Sequence, residues 1–295
     1  LNRRVFDYRA AVDGLRQILW GFFKKMIVAD NCALAVNEVW HDWDSASGMM
    51  LLMGMLLFTF QIYCDFSGYS DIAIGTARLF GIRLSDNFSY PYFSRSVTEF
   101  WRRWHMTLMS WFRDYVYIPL GGSRGGKWMT IRNIFIVFSL SGLWHGANWT
   151  FVAWGLYNAI LLVIPILLNR KRQIDKSPVR VIDLPKILFT FLLVAVGWVL
   201  FRSDTIAEAV GFLGRMVRLL PSVSVADLVM GKVAFLWCVF LVLVEWNVRH
   251  KRHALQILTS RVFRFPALRW AVYYAILIVI FLFHGQEQTF IYFQF

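Results

Sequence analysis

The chain has 295 residues, of which 58% are hydrophobic and 18% aromatic, with a formal charge of +13 and a mean hydropathy of +0.52. Soluble domains usually carry fewer apolar residues, so the composition excludes an ordinary soluble protein and indicates an integral membrane protein built of helices. The Lys and Arg residues lie between apolar runs without any nucleic-acid-binding motif, which argues for membrane lipids as partners and against nucleic acid.

The first segment predicts a helix at the membrane interface rather than across it. From Asp13 to Asp30, apolar residues alternate with Arg16, Lys24 and Lys25. The chain begins on Leu rather than Met, and no short apolar core with a small-residue cleavage site precedes this segment. We therefore expect a part of a longer protein.

The residues from Gly48 to Asp65 predict the first membrane crossing, and residues 72–84 a further apolar helix. Five polar residues lie between or beside them, namely Asp65, Ser67, Tyr69, Ser70 and Asp71. Such a density fits either a cavity lining or a lipid–water boundary, and for any single residue the boundary is the simpler interpretation.

Ser96 and Glu99 form a capping-box pattern, which predicts a helix that begins at Ser96. Helical spacing then places four residues on one face: Trp101, His105, Leu108 and Phe112. Glu99 is positioned to pair with Arg102 and Arg103. A histidine on such a face is more often a hydrogen-bonded core residue than a catalyst, so His105 by itself does not identify a catalytic site.

A glycine-rich loop follows this helix and contains Arg124 and Lys127. Such a loop could hold a phosphate, but a simple chain reversal is favoured without a strand–loop–helix context.

The apolar run Ile131–Leu168 is too long for one crossing and is interrupted at Ser141-Gly142 and at residues 145–148. Irregular backbone at membrane depth is tolerated where protein or a water-filled cavity covers it, so we expect His145 to lie at the tip of a cavity-lining break.

Three further crossings are predicted at Lys186–Phe201, Lys232–Asn247 and Trp270–Phe283. Basic residues concentrate in segments 169–180 and 249–269, which should be cytoplasmic, whereas the tail after Gln286 lacks Lys and Arg and should be periplasmic.

The three cysteines, Cys32, Cys64 and Cys238, lack metal-ligand spacing and are interpreted as packing residues. No metal site is predicted, since two histidines without HExxH-type spacing are insufficient.

Several long strings in the chain carry a family resemblance. They are CDFSGYSDIAIG, FWRRWHMTL, WFRDYVYIPLGGSR, LWHGANW and the terminal FIYFQF. These strings resemble the membrane-bound O-acyltransferase family, most closely its bacterial alginate O-acetylation branch, over about Asp13 to Phe295. The resemblance implies an all-α, polytopic bundle with broken or re-entrant helices around a central cavity. It also implies that residues 1–295 form a single membrane-embedded domain, the C-terminal part of a longer protein whose first helices are missing here.

The resemblance further implies that His145 is the catalytic residue and His105 its partner across a membrane tunnel. A buried neutral histidine is a competent general base at pH 7. The acyl group could be positioned, or the oxyanion stabilised, by His105, Trp144, Asn148 or backbone groups near Gly142. Five basic residues would suit the phosphates of a cytoplasmic donor such as acetyl-CoA or a related thioester: Arg102, Arg103, Arg113, Arg124 and Lys127. Positive-inside topology explains these five equally well. No bound cofactor is expected.

The implied function is transfer of acetyl groups across the bacterial inner membrane to an exported polysaccharide, with a periplasmic acetyltransferase as partner. Alginate, cellulose, another exopolysaccharide or a teichoic-acid-type polymer would each be served by the same core. Two other classes remain open, a polytopic transporter and a scaffold of an export system. The absence of an internal repeat in the sequence weighs against the transporter.

Overall fold

A computed structural model describes residues 6–169, 177–220, 231–286 and 288–290, and all regular secondary structure in these ranges is helical. The α-helices are α1 (Tyr8–Phe22), α2 (Asp30–His41), α3 (Gly48–Leu79), α4 (Val97–Trp101), α5 (Met106–Phe112), α6 (Gly126–His145), α7 (Trp149–Leu167), α8 (Leu184–Arg202), α9 (Ile206–Leu219), α10 (Lys232–Val248) and α11 (Pro266–Phe283). Two π-helical segments, Phe23–Ala29 and Arg113–Tyr117, extend α1 and α5, and 3-10 turns occupy Pro91–Phe93, Val181–Asp183, Ala254–Thr259 and Arg261–Phe263.

The predicted all-α, membrane-spanning class is confirmed. Within the described ranges, four helical segments are long and apolar enough to cross a membrane: α3, α7, α8 with its preceding 3-10 turn, and α11. The predicted crossing at Lys232–Asn247 corresponds to α10, which is a helix of 17 residues. Residues 170–176 of the first basic segment, and most of the tail after Gln286, lie outside the described residues.

The helices fall into two compact units. The first contains α1, α2, α3 from Leu52 onward, α10, the 3-10 turns that follow α10, and α11. The second contains the helices from α4 to α9, together with residues 43–51. Both histidines singled out in the sequence belong to the second unit.

In the first unit, α1 packs antiparallel along α3 through two pairs of facing glycines. A Cβ atom added at Gly14 would lie 2.7 Å from the carbonyl oxygen of Gly75, and one added at Gly68 would lie 2.8 Å from that of Gly21. Small residues let helix backbones approach closely, which favours association where no hydrophobic effect operates. Helix α1 thus runs alongside α3, which is long enough to span a membrane. The expected location of α1 at the membrane interface stays a prediction.

Buried ion pairs join the π-helical segment to α3 in the same unit. Lys24 Nζ lies 2.7 Å from Asp71 Oδ2 and donates to Ser67 Oγ at 2.9 Å. Lys25 Nζ lies 2.7 Å from Asp65 Oδ1 and also pairs with Asp30 of α2. Paired charges can stay buried, so α3 continues through its polar stretch as one 32-residue helix. The predicted division between residues 65 and 72 is therefore wrong.

In the second unit, α6 and α7 form a closely packed hairpin. A Cβ atom at Gly142 would lie 2.3 Å from the Phe151 carbonyl oxygen, and one at Gly155 would lie 2.2 Å from that of Phe138. Helix α6 runs without interruption from Gly126 to His145, so the break expected at Ser141-Gly142 is wrong. Gly142 permits close helix packing instead, and the chain leaves the helix only after His145.

Helix α4 begins where its cap predicts but ends earlier. Ser96 Oγ accepts a hydrogen bond from the Glu99 backbone N–H at 3.2 Å, whereas the Glu99 carboxylate accepts from the backbone N–H of Arg95, not from that of Ser96. The helix ends at Trp101, and α5 starts only at Met106, so the continuous face from Trp101 to Phe112 is wrong. Glu99 forms its ion pairs with Arg95 and Arg103. The predicted pair of Glu99 with Arg102 is therefore wrong.

Replacing Ser96 by alanine should lower the free energy of unfolding by about 0.5 to 2 kcal/mol, because a first-turn N–H loses its acceptor. Thermal unfolding in detergent would measure the change. Ser85→Ala is the matched control, since Ser85 is exposed and outside any helix. Equal melting temperatures for the two variants would contradict a stabilising cap.

Candidate active site

His145 lies in an aromatic box at the C-terminal end of α6. The centroid of its ring is 5.3 Å from that of Trp154 on α7 and 5.1 Å from that of Phe201 on α8, and both rings meet it nearly perpendicularly. Trp144 and Phe151 lie at 5.2 and 6.4 Å. The imidazole is half-buried, so apolar walls fix its orientation while part of it stays accessible. Such a position suits a proton acceptor for a substrate that enters from the open side.

The three residues after His145 hold the turn into α7. Asn148 caps α7, with its Oδ1 accepting from the Thr150 backbone N–H at 3.1 Å and its Nδ2 donating to the Asp204 carbonyl at 2.9 Å. A side chain at Gly146 would meet the Phe151 ring at 2.7 Å. Asn148 therefore has a structural role in this turn. Among the predicted orienting groups, Trp144 is in ring contact with His145 and also with His105.

His105 lies between α4 and α5 in the left-handed backbone region, with φ of 42°. Few residues other than glycine adopt this conformation, and strained backbone of this kind clusters at functional sites. The conformation takes the place of the continuous helix expected from the sequence. Burial of the ring, partly offset by a backbone hydrogen bond, lowers the pKa of His105 to about 4, so the imidazole is neutral at pH 7.

Trp144 lies against both histidines. Its ring centroid is 6.5 Å from that of His105 and 5.2 Å from that of His145, and the rings meet edge to face in both pairs. The indole is 56% exposed, so it lines an open approach rather than the core. The second unit thus brings together two histidines that are 40 residues apart in the sequence.

A cluster of buried tryptophans supports this arrangement. Trp154 stacks on Trp198 at 5.8 Å and meets Trp101 edge to face at 5.6 Å, while Trp104 contacts Trp198 at 5.0 Å. The Trp101 indole N–H donates to Asn158 Oδ1 at 3.3 Å. Sequence reasoning missed Trp154, Trp198 and Asn158. Their signal was weak, because tryptophan is common throughout this chain, with 14 in all.

A cavity of about 720 Å³ opens beside α5 in the second unit. Trp101, Met106 and Met109 contribute apolar lining, and Arg102 and Arg113 are its cations. The Arg113 guanidinium holds the Asp114 carboxylate with contacts of 2.7 and 3.0 Å, whereas Arg102 is exposed. The cavity therefore combines apolar walls with two guanidinium groups, of which that of Arg113 is paired with Asp114.

The other three predicted donor contacts lie outside the lining of this cavity. Arg103 is held by Glu99. Lys127 Nζ donates to the Leu167 carbonyl and to Asn169 Oδ1, both at 3.1 Å, and so closes the carboxyl end of α7. Arg124 is exposed in the loop before α6. Of the five residues, the structure brings only Arg102 and Arg113 together.

These features define an all-helical membrane protein with two neighbouring histidines at a helix end. The model of the membrane-bound O-acyltransferase (MBOAT) family matches residues 18–201. The chain belongs to this family.

Named relatives agree with this assignment. The chain is 39% identical over 252 residues to a probable alginate O-acetylase, AlgI, of Azotobacter vinelandii, an alignment that covers 84% of this chain and 49% of the relative. It is 38% identical over 221 residues to a peptidoglycan O-acetyltransferase of Helicobacter pylori, covering 74% and 41%. A teichoic acid D-alanyltransferase of Bacillus subtilis is 34% identical over 160 residues, covering 50% and 40%. The chain thus spans about half the length of these relatives or less.

Proposed function

We propose that the protein is a membrane O-acyltransferase that moves acetyl groups from a cytoplasmic donor across the membrane for O-acetylation of an exported polysaccharide such as alginate. The observation that carries this proposal is the contact of Trp144 with both His105 and His145, with His145 in its aromatic box. The names of the relatives, which include an alginate and a peptidoglycan O-acetylating protein, support the substrate class.

In the proposed reaction, neutral His145 takes the proton from an acceptor hydroxyl. The hydroxyl oxygen attacks the carbonyl carbon of the acyl thioester, the carbon–sulfur bond breaks, and the leaving thiolate takes the proton from the imidazolium. General base catalysis of this kind contributes about 10² to 10⁴ in rate. His105 and the Trp144 indole N–H are the groups next to His145 that could donate to the developing oxyanion.

The acyl donor proposed for the cavity beside α5 is acetyl-CoA or a related thioester, with its phosphates at Arg102 and Arg113. The double variant Arg102→Gln/Arg113→Gln should raise the apparent donor KM by about 10- to 100-fold, because hydrogen bonds to charged groups contribute about 1.5 to 3 kcal/mol. Arg124→Gln is the matched control, since Arg124 is exposed but does not line the cavity. Donor titration in membranes that contain the full-length protein measures this, and equal KM values in both variants would refute the assignment.

We further propose a place in the bacterial inner membrane, with segments 169–180 and 249–269 cytoplasmic and the C-terminus periplasmic, where an acetyltransferase partner would receive the acyl group. The asymmetric distribution of Lys and Arg supports this orientation. A fusion of alkaline phosphatase after Phe295 should be active. An inactive fusion, with a cytoplasm-dependent reporter active at the same position, would reverse the orientation.

A further inference from the structure

A second cavity, of about 970 Å³, lies in the first unit, whereas His105 and His145 belong to the second unit. Its walls come from α1, the 3-10 turn Ala254–Thr259 and the start of α11. Four cations line it: Arg9, Arg16, Lys251 and Arg269. The lining therefore carries four basic side chains. The proposed acyl transfer makes no use of this cavity.

The cavity has a large excess of positive charge. Asp13 is its one acidic lining residue, and that carboxylate is already held by Arg78 at 2.7 Å, His253 at 3.1 Å and Gln256 at 3.2 Å. Burial alone would raise the pKa of Asp13, but the hydrogen bonds and charges of these partners outweigh burial and lower the pKa to about 2. Asp13 is thus ionised, but its negative charge is already paired with Arg78. It therefore compensates little of the positive charge of the four cations that line the cavity.

The four cations differ in how far they are engaged. Arg16 donates to the Tyr273 hydroxyl at 2.7 Å, which fixes its guanidinium at the wall. Arg9, Lys251 and Arg269 have no carboxylate partner in the part of the chain that the structure describes. Three cations that share one cavity, where the one carboxylate is already paired with Arg78, repel one another unless an anion lies between them.

The apolar part of the lining is equally distinctive. Val12, Leu15 and Leu19 are spaced by three or four residues and follow one face of α1, next to Arg9 and Arg16. Trp270 and Tyr273 of α11 complete the wall. Tryptophan and tyrosine beside Lys and Arg are typical of the headgroup level of a bilayer.

We propose that this cavity binds an anionic phospholipid, with its phosphate among the four cations and its acyl chains along Val12, Leu15 and Leu19. A soluble phosphate compound would satisfy the cations alone, whereas a phospholipid satisfies both the cations and the apolar face of α1. Basic pockets of membrane proteins bind anionic headgroups in this way.

Lipid titration of the purified full-length protein in nanodiscs tests the proposal, with phosphatidylglycerol and phosphatidylcholine compared by native mass spectrometry. The parent protein should retain phosphatidylglycerol at least about tenfold more tightly, because each basic residue near a charged membrane surface contributes appreciably to attraction. The triple variant Arg9→Gln/Lys251→Gln/Arg269→Gln should lose most of this preference. Arg16 is left in place because it bonds to Tyr273.

The matched control is Arg252→Gln/Arg261→Gln/Arg264→Gln, which removes the same charge from exposed residues that do not line the cavity. This variant should keep the headgroup preference, and equal melting temperatures would show that both triple variants are folded. Equal loss in the two triples would mean general surface attraction and overturn the site. Displacement of the lipid by millimolar inorganic phosphate would identify a soluble phosphate ligand instead. Absence of any headgroup preference in the parent protein would overturn the proposal.

Discussion

Replacing His145 by alanine in the full-length protein should abolish acetylation of the exported polymer while leaving the amount of membrane-inserted protein unchanged. The side chain is half-buried between the rings of Trp144, Trp154 and Phe201, which are apolar neighbours that do not need the proton-accepting nitrogen of the imidazole. Loss of a general base commonly lowers the rate by about 10² to 10⁴. The acetyl content of the secreted polymer, divided by the immunoblotted protein level, measures the effect.

His250→Ala is the matched control, because His250 is exposed and belongs to the first unit. It should retain acetylation. Loss of protein abundance in His145→Ala would mean that the imidazole stabilises the fold, since an unsatisfied buried partner costs about 1 to 3 kcal/mol. Normal acetylation at normal abundance would exclude His145 from the chemistry and favour a transporter or scaffold.

Replacing Lys24 by methionine should destabilise the protein by about 3 to 5 kcal/mol, the range observed when one partner of a buried ion pair is removed. Lys24 is 4% exposed, and its ammonium group lies 2.7 Å from Asp71. Its loss leaves the Gln17 amide, which donates to the Asp71 carboxylate at 2.7 Å, as the remaining hydrogen-bond partner of that carboxylate among the described residues. Unfolding in mixed detergent micelles would measure the difference.

The double variant Lys24→Met/Asp71→Leu provides the internal comparison. It removes both charges together, so it should recover much of the stability that Lys24→Met loses, because replacement of a whole buried pair by apolar residues is often nearly neutral. A double variant less stable than Lys24→Met would show that Asp71 is stabilised by partners other than Lys24.

The fold class could be predicted from composition, but the positions of the helix ends depend on contacts between residues that lie far apart in the sequence. The polar stretch at Asp65–Asp71 looked like a helix boundary because its counter-charges, Lys24 and Lys25, lie about 40 residues earlier. Gly142 looked like a break because its neighbour, the Phe151 backbone, was not evident from the local pattern. In both cases a tertiary contact allows the helix to continue at a position where the local sequence pattern predicted its end.

The candidate site was predicted in part. Both histidines were identified, and the end of α6 at His145 was expected from the sequence. The left-handed backbone of His105 could not be predicted, because the apolar spacing of a helix continues across it. The aromatic box could not be predicted either, since Trp154 and Phe201 come from two further helices.

The spacing of seven residues between Gly14 and Gly21, repeated between Gly68 and Gly75, was a readable signal of helix packing that sequence reasoning missed.

The glycine pairs between α1 and α3 also bear on how the protein is made. Gly68 and Gly75 are synthesised 47 and 61 residues after Gly21 and Gly14, respectively. At roughly 5 to 20 residues per second, α1 waits several seconds for the surface on which it docks. During that interval its alternating basic and apolar residues suit the lipid headgroup layer. The amphipathic pattern of α1 thus fits a temporary position during biogenesis, and its glycines fit the final position beside α3. Cysteine labelling of stalled nascent chains at Ile18, which packs against Gly75, should show exposure before Gly75 emerges and protection afterwards.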